Sequence, residues 1–145
     1  MNWQEKITRW CALSERSQAE VLKRLKEWEV PNSEANSFLL KLEGLDFVNQ
    51  LRFLSAFTHD HFHLKQWGPY KIGDGLSAKG CSSSEISSAL SVLTPDIVLE
   101  KLTHVLNSRL KTHPSDLTSN RPRLIRYLQS RGFSLEMILS SIKSI

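Results

Sequence analysis

RPRLIRYLQSRGFSLEMI (residues 121–138) predicts a short helix, a glycine turn and the start of a second helix. Leu124 and Leu128 stand four residues apart, which places them on one face of a helix. Gly132 follows where that helix must end, because glycine adopts the left-handed conformation of a helix terminus at little cost. Ser134 can then cap the next helix. The segment therefore predicts two helices joined by a tight turn.

The same arrangement occurs twice more in the chain, at spacings of 51 and then 52 residues. Leu25, Leu76 and Leu128 occupy the same position in the three copies, and such self-similarity is typical of repeat architectures. A plausible helix cap precedes each leucine, and a turn residue follows it. The caps are Ser17, Gly68 and Asn120, and the turn residues are Glu29, Gly80 and Gly132.

Each copy also predicts a longer helix before the short one and a third helix after it. In the second copy Asn49 is the expected cap of the long helix, and in the third copy Thr94 precedes a first-turn proline, Pro95. The expected apolar faces are Phe53, Phe57, His61 and Leu64 in the second copy, and Val98, Leu102, Val105, Leu106 and Leu110 in the third. The third helices are expected from about Ser33 to Glu43 with a stop at Gly44, from Ser82 or Ser84 to near Leu93, and from Ser134 to near Ile142.

No stretch alternates in the way that a half-buried strand requires. The predicted fold class is therefore all-α: three tandem three-helix repeats forming an elongated, curved array. We place repeat 1 at residues 1–48, repeat 2 at 49–93 and repeat 3 at 94–145, within one continuous modular domain. A unit of this size buries little apolar surface alone, so the repeats must stack on one another.

Composition and charge narrow the function classes. Of the 145 residues, 40% are hydrophobic and 23% charged, which is typical of a globular chain. Repeat 1 holds seven Lys/Arg against eight Asp/Glu, repeat 2 four against three, and repeat 3 eight against four. The excess positive charge of +4 is thus concentrated in repeat 3. A basic end favours an anionic partner such as nucleic acid or an acidic protein groove.

Other classes are disfavoured. No segment approaches the ~20 apolar residues that span a bilayer, and the N-terminus lacks the features of a secretory signal. Cys11 and Cys81 have no metal-site spacing, which favours reduced thiols in a cytoplasmic protein. No nucleophile–base pair or carboxylate pair is apparent, since Ser82, Ser83 and Ser84 are typical of caps and turns. We expect no enzyme activity and no cofactor.

The segment HDHFHLKQWGPYKIGDGLSAKG (residues 59–80) has three interpretations: a metal site, a phosphate-binding glycine loop, or an ordinary polar helix face and turn. His59 and His63 share a helix face at metal-compatible spacing, but a closed zinc site needs four ligands. A polar helix face that becomes charged as the pH falls toward ~6.5 is the preferred interpretation, so no metal site is expected. The glycines lack the preceding strand and the Gly-Lys-Ser/Thr ending of a phosphate-binding loop.

The chain resembles the RecX family of bacterial regulatory proteins that modulate the RecA recombinase. The resemblance covers nearly the whole chain and rests on four segments in this order and period. They are CALSERSQAEVLKRL (11–25), LRFLSAFTHDHFHLKQWGPYKI (51–72), LSAKGCSSSEI (76–86) and RPRLIRYLQSRGFSLEMI (121–138).

The resemblance implies a function that composition alone does not. Members lodge in the helical groove of the RecA–single-stranded DNA filament, bridge neighbouring protomers, slow filament growth or promote disassembly, and lower ATP hydrolysis and strand exchange. The expected role is negative regulation in DNA repair, recombination and the SOS response. The expected partner is the RecA filament, and a weak direct contact with DNA is a further expectation. We expect no association with membranes, and we expect the chain to be a monomer.

The resemblance also implies candidate partner-binding positions, which are basic or aromatic. They are Arg52, His63, Lys65, Trp67, Lys71 and Lys79 in repeat 2, and Arg121, Arg123, Arg126 and Arg131 in repeat 3. Arginine and lysine can pair with phosphate or carboxylate oxygens, and tryptophan can stack on a base.

Structural alternatives stand beside several of these positions. Arg52 can make a local ion pair, Trp67 can attach its helix to the next repeat, and Lys79 can cover a helix C-terminus. The arginines of repeat 3 can form an ordinary solvated face. Phe53, next to Arg52, is expected in the core.

The chain departs from the family pattern at several positions. NQL (49–51) replaces acidic residues, and Gly73 and Gly75 replace charged helix formers. These changes weaken repeat 2 as a contact and shift the expected surface toward repeat 3. In repeat 1, Glu29 replaces the turn glycine, and we expect Pro31 to supply the break.

A helix-turn-helix DNA-binding protein without a recombinase partner is the alternative, because three-helix units with a glycine turn also build such proteins. Against it, repeat 1 is net acidic, and no short helix carries the Arg/Asn/Gln cluster that reads bases in a major groove. A scaffold or another protein–protein role is the third class.

Overall fold

The computed structural model describes residues 1–145 and contains ten α-helices and no strand. The all-α prediction is confirmed. The helices are α1 (Trp3–Leu13), α2 (Gln18–Glu27), α3 (Asn32–Gly44), α4 (Gln50–His63), α5 (Pro69–Ala78), α6 (Ser83–Leu90), α7 (Pro95–Thr112), α8 (Asp116–Ser119), α9 (Arg121–Ser130) and α10 (Leu135–Lys143). None of them is long and apolar enough to cross a bilayer.

The helix order follows the threefold frame, with one addition. α1 to α3 and α4 to α6 are the helices expected of repeats 1 and 2, and α7, α9 and α10 are those of repeat 3. The four-residue helix α8 was not predicted. It occupies the linker between α7 and α9, where Pro114 and Ser115 precede it.

The chain forms two compact units. The N-terminal unit comprises Met1–Phe57 and Leu76–Ile86, and the C-terminal unit comprises Thr58–Gly75 and Ser87–Ile145. Both α4 and α5 therefore contribute residues to each unit. The boundaries placed at 48/49 and 93/94 stay predictions, since they rest on sequence period alone.

The N-terminal unit is built around a continuous apolar cluster. Its buried members come from α1 to α3 and the turns that follow α2 and α3: Ile7, Cys11, Val21, Leu25, Val30, Ala35, Leu39, Leu42 and Val48. The N-terminus of α2 is fixed by a capping box, in which Ser17 and Glu20 each accept a backbone hydrogen bond from the other residue. The predicted cap is thus confirmed.

In the C-terminal unit, α7, α9 and α10 pack on one another. Their buried side chains recur every three or four residues, as an amphipathic helix requires. They are Val98, Leu102, Val105 and Leu106 on α7, Leu124 and Leu128 on α9, and Ile138 and Ile142 on α10. Leu110, expected on this face, is only half-buried.

The left-handed turns confirm one expectation and correct another. Gly80 and Gly132 have φ values of +82° and +102°, as predicted from their position after a short helix. In repeat 1 the equivalent residue, Glu29, itself adopts a φ of +61°, so the expectation that Pro31 supplies the break is wrong. The main-chain hydrogen bond from Val30 to Leu25, which closes the helix terminus, holds Glu29 in this conformation.

The long helix of repeat 2 differs from its expected face. Leu64 follows the end of α4 and is 74% exposed. Phe57 and His61 are half-buried, while the buried residues of the helix are Phe53, Leu54, Thr58 and Phe62. Only Phe53 of the predicted face lies in the core, because the expected spacing followed one stripe and the helix buries the neighbouring one.

Smaller differences concern helix ends. Asn49 accepts a hydrogen bond from the Arg52 backbone N–H, which confirms it as a cap. Ser82, rather than Ser84, caps α6, which ends at Leu90 instead of near Leu93. Gly44 is the last residue of α3, and the left-handed residue there is Asp46, with a φ of +66°.

Candidate partner-binding surface

The ten candidate residues divide between the two compact units. Arg52 and Lys79 lie in the N-terminal unit. The other eight lie in the C-terminal unit: His63, Lys65, Trp67, Lys71, Arg121, Arg123, Arg126 and Arg131. The concentration in one unit agrees with the shift of basic charge toward repeat 3.

Arg52 is engaged within its own unit. Its Nε lies 2.6 Å from Glu15 Oε2, and its Nη1 lies 3.0 Å from Asp46 Oδ1. Nη2 also donates to the carbonyl oxygen of Asp46 at 3.1 Å. The hydrogen bonds to Glu15 and Asp46 raise the pKa of Arg52. Since its donors are used internally, Arg52 offers little to a partner in this arrangement.

Lys79 takes part in a joint between the short helix of repeat 1 and the turn of repeat 2. Ser17 Oγ donates to the Lys79 carbonyl oxygen at 2.7 Å, and Lys79 Nζ lies 3.0 Å from Glu20 Oε2. A Cβ placed on Gly80 would come within 2.3 Å of the Ala19 Cβ. The joint therefore needs both the left-handed turn and the absence of a side chain at Gly80.

The equivalent residues form a second joint in the C-terminal unit. The Gly68 N–H donates to the Arg131 carbonyl oxygen at 2.7 Å, and the Tyr70 N–H donates to that of Gly132 at 3.0 Å. A Cβ on Gly68 would lie 2.4 Å from the Gly132 oxygen, and a Cβ on Gly132 would lie 2.6 Å from Lys71 Cβ. The N-terminus of α5 thus packs backbone to backbone on the α9–α10 turn. Gly68, expected only as a cap, is required by this close approach.

Arg131 holds the segment that carries Lys65 and Trp67. One terminal nitrogen of its guanidinium donates to the Lys65 carbonyl oxygen and, at 3.4 Å, to that of Gln66. Gln66 is left-handed with a φ of +57°, and these bonds lie at that bend. The side chain of Arg131 therefore positions its neighbours, rather than lying free on the surface.

Trp67 is the centre of a small aromatic and basic cluster, which we call the Trp67 cluster and define as Lys65, Trp67 and Lys71. The Lys71 ammonium lies 4.5 Å from the indole centroid, and that of Lys65 lies 5.8 Å away. The His61 ring packs on the same indole at a centroid distance of 4.5 Å. Cation–π attraction places both ammonium groups beside a half-buried ring.

The arginines of α9 are the most available cations of the candidate set. Arg121, Arg123 and Arg126 are all exposed, and Arg123 and Arg126, three residues apart, lie opposite the buried Leu124 and Leu128. Arg121 Nε donates to the Leu117 carbonyl oxygen at 2.9 Å. We call Arg123 and Arg126 the α9 arginine face, to which Arg121, at the first position of the helix, does not belong.

Asp116, in α8, modifies this face and was not predicted. It is 3% exposed and lies 3.1 Å from Arg109 Nε and 3.8 Å from Arg123 Nε. The Arg109 guanidinium in turn lies 4.3 Å from the centroid of the Tyr127 ring. The buried carboxylate partly offsets the charge of Arg123, whereas Arg126 has neither an ion pair nor a hydrogen bond through its side chain. The only signal for this role in the sequence was an acidic residue directly after Ser115, in the segment between α7 and α9.

A second basic and aromatic site, in the N-terminal unit, was also missed. Trp10 lies beneath two guanidinium groups, with Arg16 at 4.0 Å and Arg24 at 4.4 Å from its ring. Arg16 additionally donates to the Trp10 carbonyl oxygen at 3.3 Å. The net charge of repeat 1 gave no sign of this cluster, because its eight carboxylates cancel the charge of its seven lysines and arginines.

His63, the remaining candidate, lies beside His59 near the end of α4. His59 and His63 are exposed with ring centroids 4.6 Å apart, and partial desolvation, with His59 and Lys101 nearby, lowers the pKa of His63. Cys11 and Cys81 are free and buried. Burial raises the pKa of Cys11 to about 11 and that of Cys81 in the same direction.

Similar proteins and structures support the expected family. No protein-family model matches the chain. Regulatory protein RecX of Bacillus pumilus is 29% identical over 124 residues, which cover 85% of this chain and 47% of the relative. That of Leptothrix cholodnii is 25% identical over 130 residues, covering 90% of this chain and 80% of the relative. The crystal structure of RecX from Lactobacillus salivarius superposes with a TM-score of 0.84 and 20% identity, over 97% of this chain and 92% of that one.

The chain is similar in sequence and in fold to regulatory proteins named RecX. A second solved regulatory protein RecX has a TM-score of 0.80 at 22% identity, covering 98% of this chain and 72% of that one. At such identity these structures establish the fold. The chain spans about half the length of the first curated RecX relatives that it matches, those of Bacillus pumilus and Limosilactobacillus reuteri.

Proposed function

We propose that this chain is a RecX-family regulatory protein that binds the RecA–single-stranded DNA filament and lowers its growth, its ATP hydrolysis and its strand exchange. The relatives' name, regulatory protein RecX, supports a regulatory role. The observation that carries the proposal is the α9 arginine face, which exposes two arginines on one side of a short helix. We place this activity in the cytoplasm and assign it to a monomer.

The chemistry of this face fits an anionic filament. Guanidinium groups bond phosphate or carboxylate oxygens in a bidentate way, so the face can engage DNA phosphates or acidic side chains of the recombinase. Arg126 is the strongest candidate, because its side chain has no carboxylate partner within the chain that it would have to release on binding. Arg123 Nε lies 3.8 Å from Asp116 Oδ1, so Arg123 must give up this interaction when it binds a partner.

The Trp67 cluster is the secondary contact in this proposal. Lys65 and Lys71 lie beside the indole, so the cluster offers two ammonium groups and part of an aromatic surface together. A partner that buries the indole would also bury cations whose charge it must balance. This requirement favours an anionic partner surface over an apolar one.

Binding alone suffices for the proposed effect. A ligand that prefers one arrangement of neighbouring filament subunits shifts the population toward that arrangement. Subunit addition and the changes that accompany ATP turnover would then be slowed without any chemical step on the regulator. The proposal therefore assigns no catalytic residue.

The test is the steady-state ATPase rate of matched RecA on single-stranded DNA, with this protein added below one molecule per recombinase. We expect the rate to fall, and Arg123→Glu and Arg126→Glu to weaken the effect. Arg9→Glu is the matched control, because it reverses one exposed charge on α1. An unchanged rate with filaments intact by microscopy would refute the proposal. A gel shift on bare DNA in that case would favour the DNA-binding alternative.

A further inference from the structure

Two histidines stand one helical turn apart at the end of α4. His59 and His63 are both exposed, and their ring centroids lie 4.6 Å apart with an interplanar angle of 46°. Asp60 Oδ1 lies 3.3 Å from His59 Nδ1. A carboxylate on one ring nitrogen orients an imidazole and leaves the other nitrogen, Nε2, to bind a metal.

The separation of the rings defines the geometry that they can offer. A metal about 2.1 Å from each ligating nitrogen lies about 3.2 Å from each ring centre, so centres 4.6 Å apart subtend an angle of about 90°. This is the angle between neighbouring ligands in square-planar or octahedral coordination. It is smaller than the tetrahedral angle of zinc, and it matches the preference of Cu²⁺ and Ni²⁺.

The surrounding charges act in both directions. α4 ends at His63, and the C-terminal end of a helix favours a positive charge through the helix dipole. Asp60 adds a carboxylate beside His59. Opposing these effects, the Lys101 ammonium from α7 lies 5.1 Å from the Phe62 ring, next to His63. The site is therefore expected to be of moderate affinity.

In contrast to the expectation from the sequence, we propose that His59 and His63 form an exposed two-imidazole site for Cu²⁺ or Ni²⁺, with water completing the coordination sphere. In the metal-bound form the two Nε2 atoms would turn to one point, since residues four apart share a helix face. No group of three or more His, Cys, Asp or Glu residues is placed to hold a metal in this chain, so the site is open rather than closed. The argument for this site does not rest on the proposed RecA-directed function.

The test is titration of the intact protein with Cu²⁺ in a non-coordinating buffer, followed by electron paramagnetic resonance and by tryptophan fluorescence. Trp67 is a built-in reporter, since its indole packs on His61, which lies between the two ligands along the helix. We expect one saturable site, a spectrum typical of two nitrogen ligands, and quenching that is lost in Trp67→Phe.

Three variants assign the ligands. His59→Gln and His63→Gln should each weaken binding about tenfold or more, because one imidazole is left. His104→Gln is the control, since it removes an exposed histidine from α7 and should leave affinity unchanged. Binding that survives both ligand substitutions, a spectrum without nitrogen ligands, or an equal loss in His104→Gln would overturn the proposal.

Discussion

Gly132→Ala tests whether the joint between α5 and the α9–α10 turn depends on close backbone approach. An alanine Cβ at this position would lie 2.6 Å from Lys71 Cβ, 2.7 Å from Lys71 N and 2.8 Å from the Gly68 oxygen. Two of these three neighbours are backbone atoms that cannot rotate away. The residue also has a φ of +102°, which an alanine adopts only with strain.

The two effects add to a measurable loss of stability. The left-handed backbone costs a non-glycine residue about 1–2 kcal/mol, and overpacking a close contact costs about 1–3 kcal/mol. We therefore expect Gly132→Ala to lower the free energy of unfolding by about 2–5 kcal/mol. A domain of ordinary stability, about 5–15 kcal/mol, would remain folded at low temperature in most of this range.

Urea denaturation followed by circular dichroism measures the change. Gly44→Ala is the matched control, because it makes the same substitution at the last residue of α3, where no atom lies within 4 Å of the added Cβ. The control should be neutral or stabilising by up to about 1 kcal/mol. If Gly132→Ala costs less than about 1 kcal/mol, the joint tolerates a side chain and the argument from close approach is wrong.

Three further predictions follow from single residues. Glu29→Gly should raise the free energy of unfolding by about 1 kcal/mol, because it relieves a left-handed glutamate, and urea denaturation showing a loss would contradict this reasoning. Asp116→Asn should lower the free energy of unfolding by about 3 kcal/mol, because it removes the charged partner of Arg109. Asp74→Asn, at an exposed position, is the control and should change the free energy of unfolding little in the same assay. Burial raises the pKa of the Cys11 thiol from 9.0 to about 11, so this thiol ionises at lower pH in the unfolded chain than in the folded one. The free energy of unfolding should therefore fall as the pH rises from 9.0 toward 11. Thermal melts of wild type and Cys11→Ala across this range check the sign, since the variant should lose less stability.

The threefold frame was predictable because it depends on local rules. Helical spacing, caps and left-handed glycines act within a few residues, so Ser17, Asn120, Gly80 and Gly132 could be assigned from their neighbours alone. Where two local solutions were available, the assignment was less secure. Glu29 is an example. Because this turn position lacks a glycine, the sequence suggested that Pro31 ends the helix, but Glu29 itself adopts the left-handed conformation.

The roles of the candidate residues were not predictable in the same way. Sequence identifies a basic residue, but its partners come from distant parts of the chain. Arg52 meets Glu15, Lys79 meets Glu20, and the Arg131 side chain meets the Lys65 carbonyl, at separations of 37, 59 and 66 residues. Each of these cations is engaged internally, while the α9 arginine face remains exposed.

Local sequence sets the all-α class, the three-repeat period and the positions of the caps and glycine turns, because each follows from the conformational preferences of a few neighbouring residues. The availability of each cation to a partner depends on the three-dimensional packing. The same packing requires Gly68 and Gly132 to lack side chains and brings Asp116 against Arg123. These facts depend on distances between side chains and backbone atoms, which packing sets.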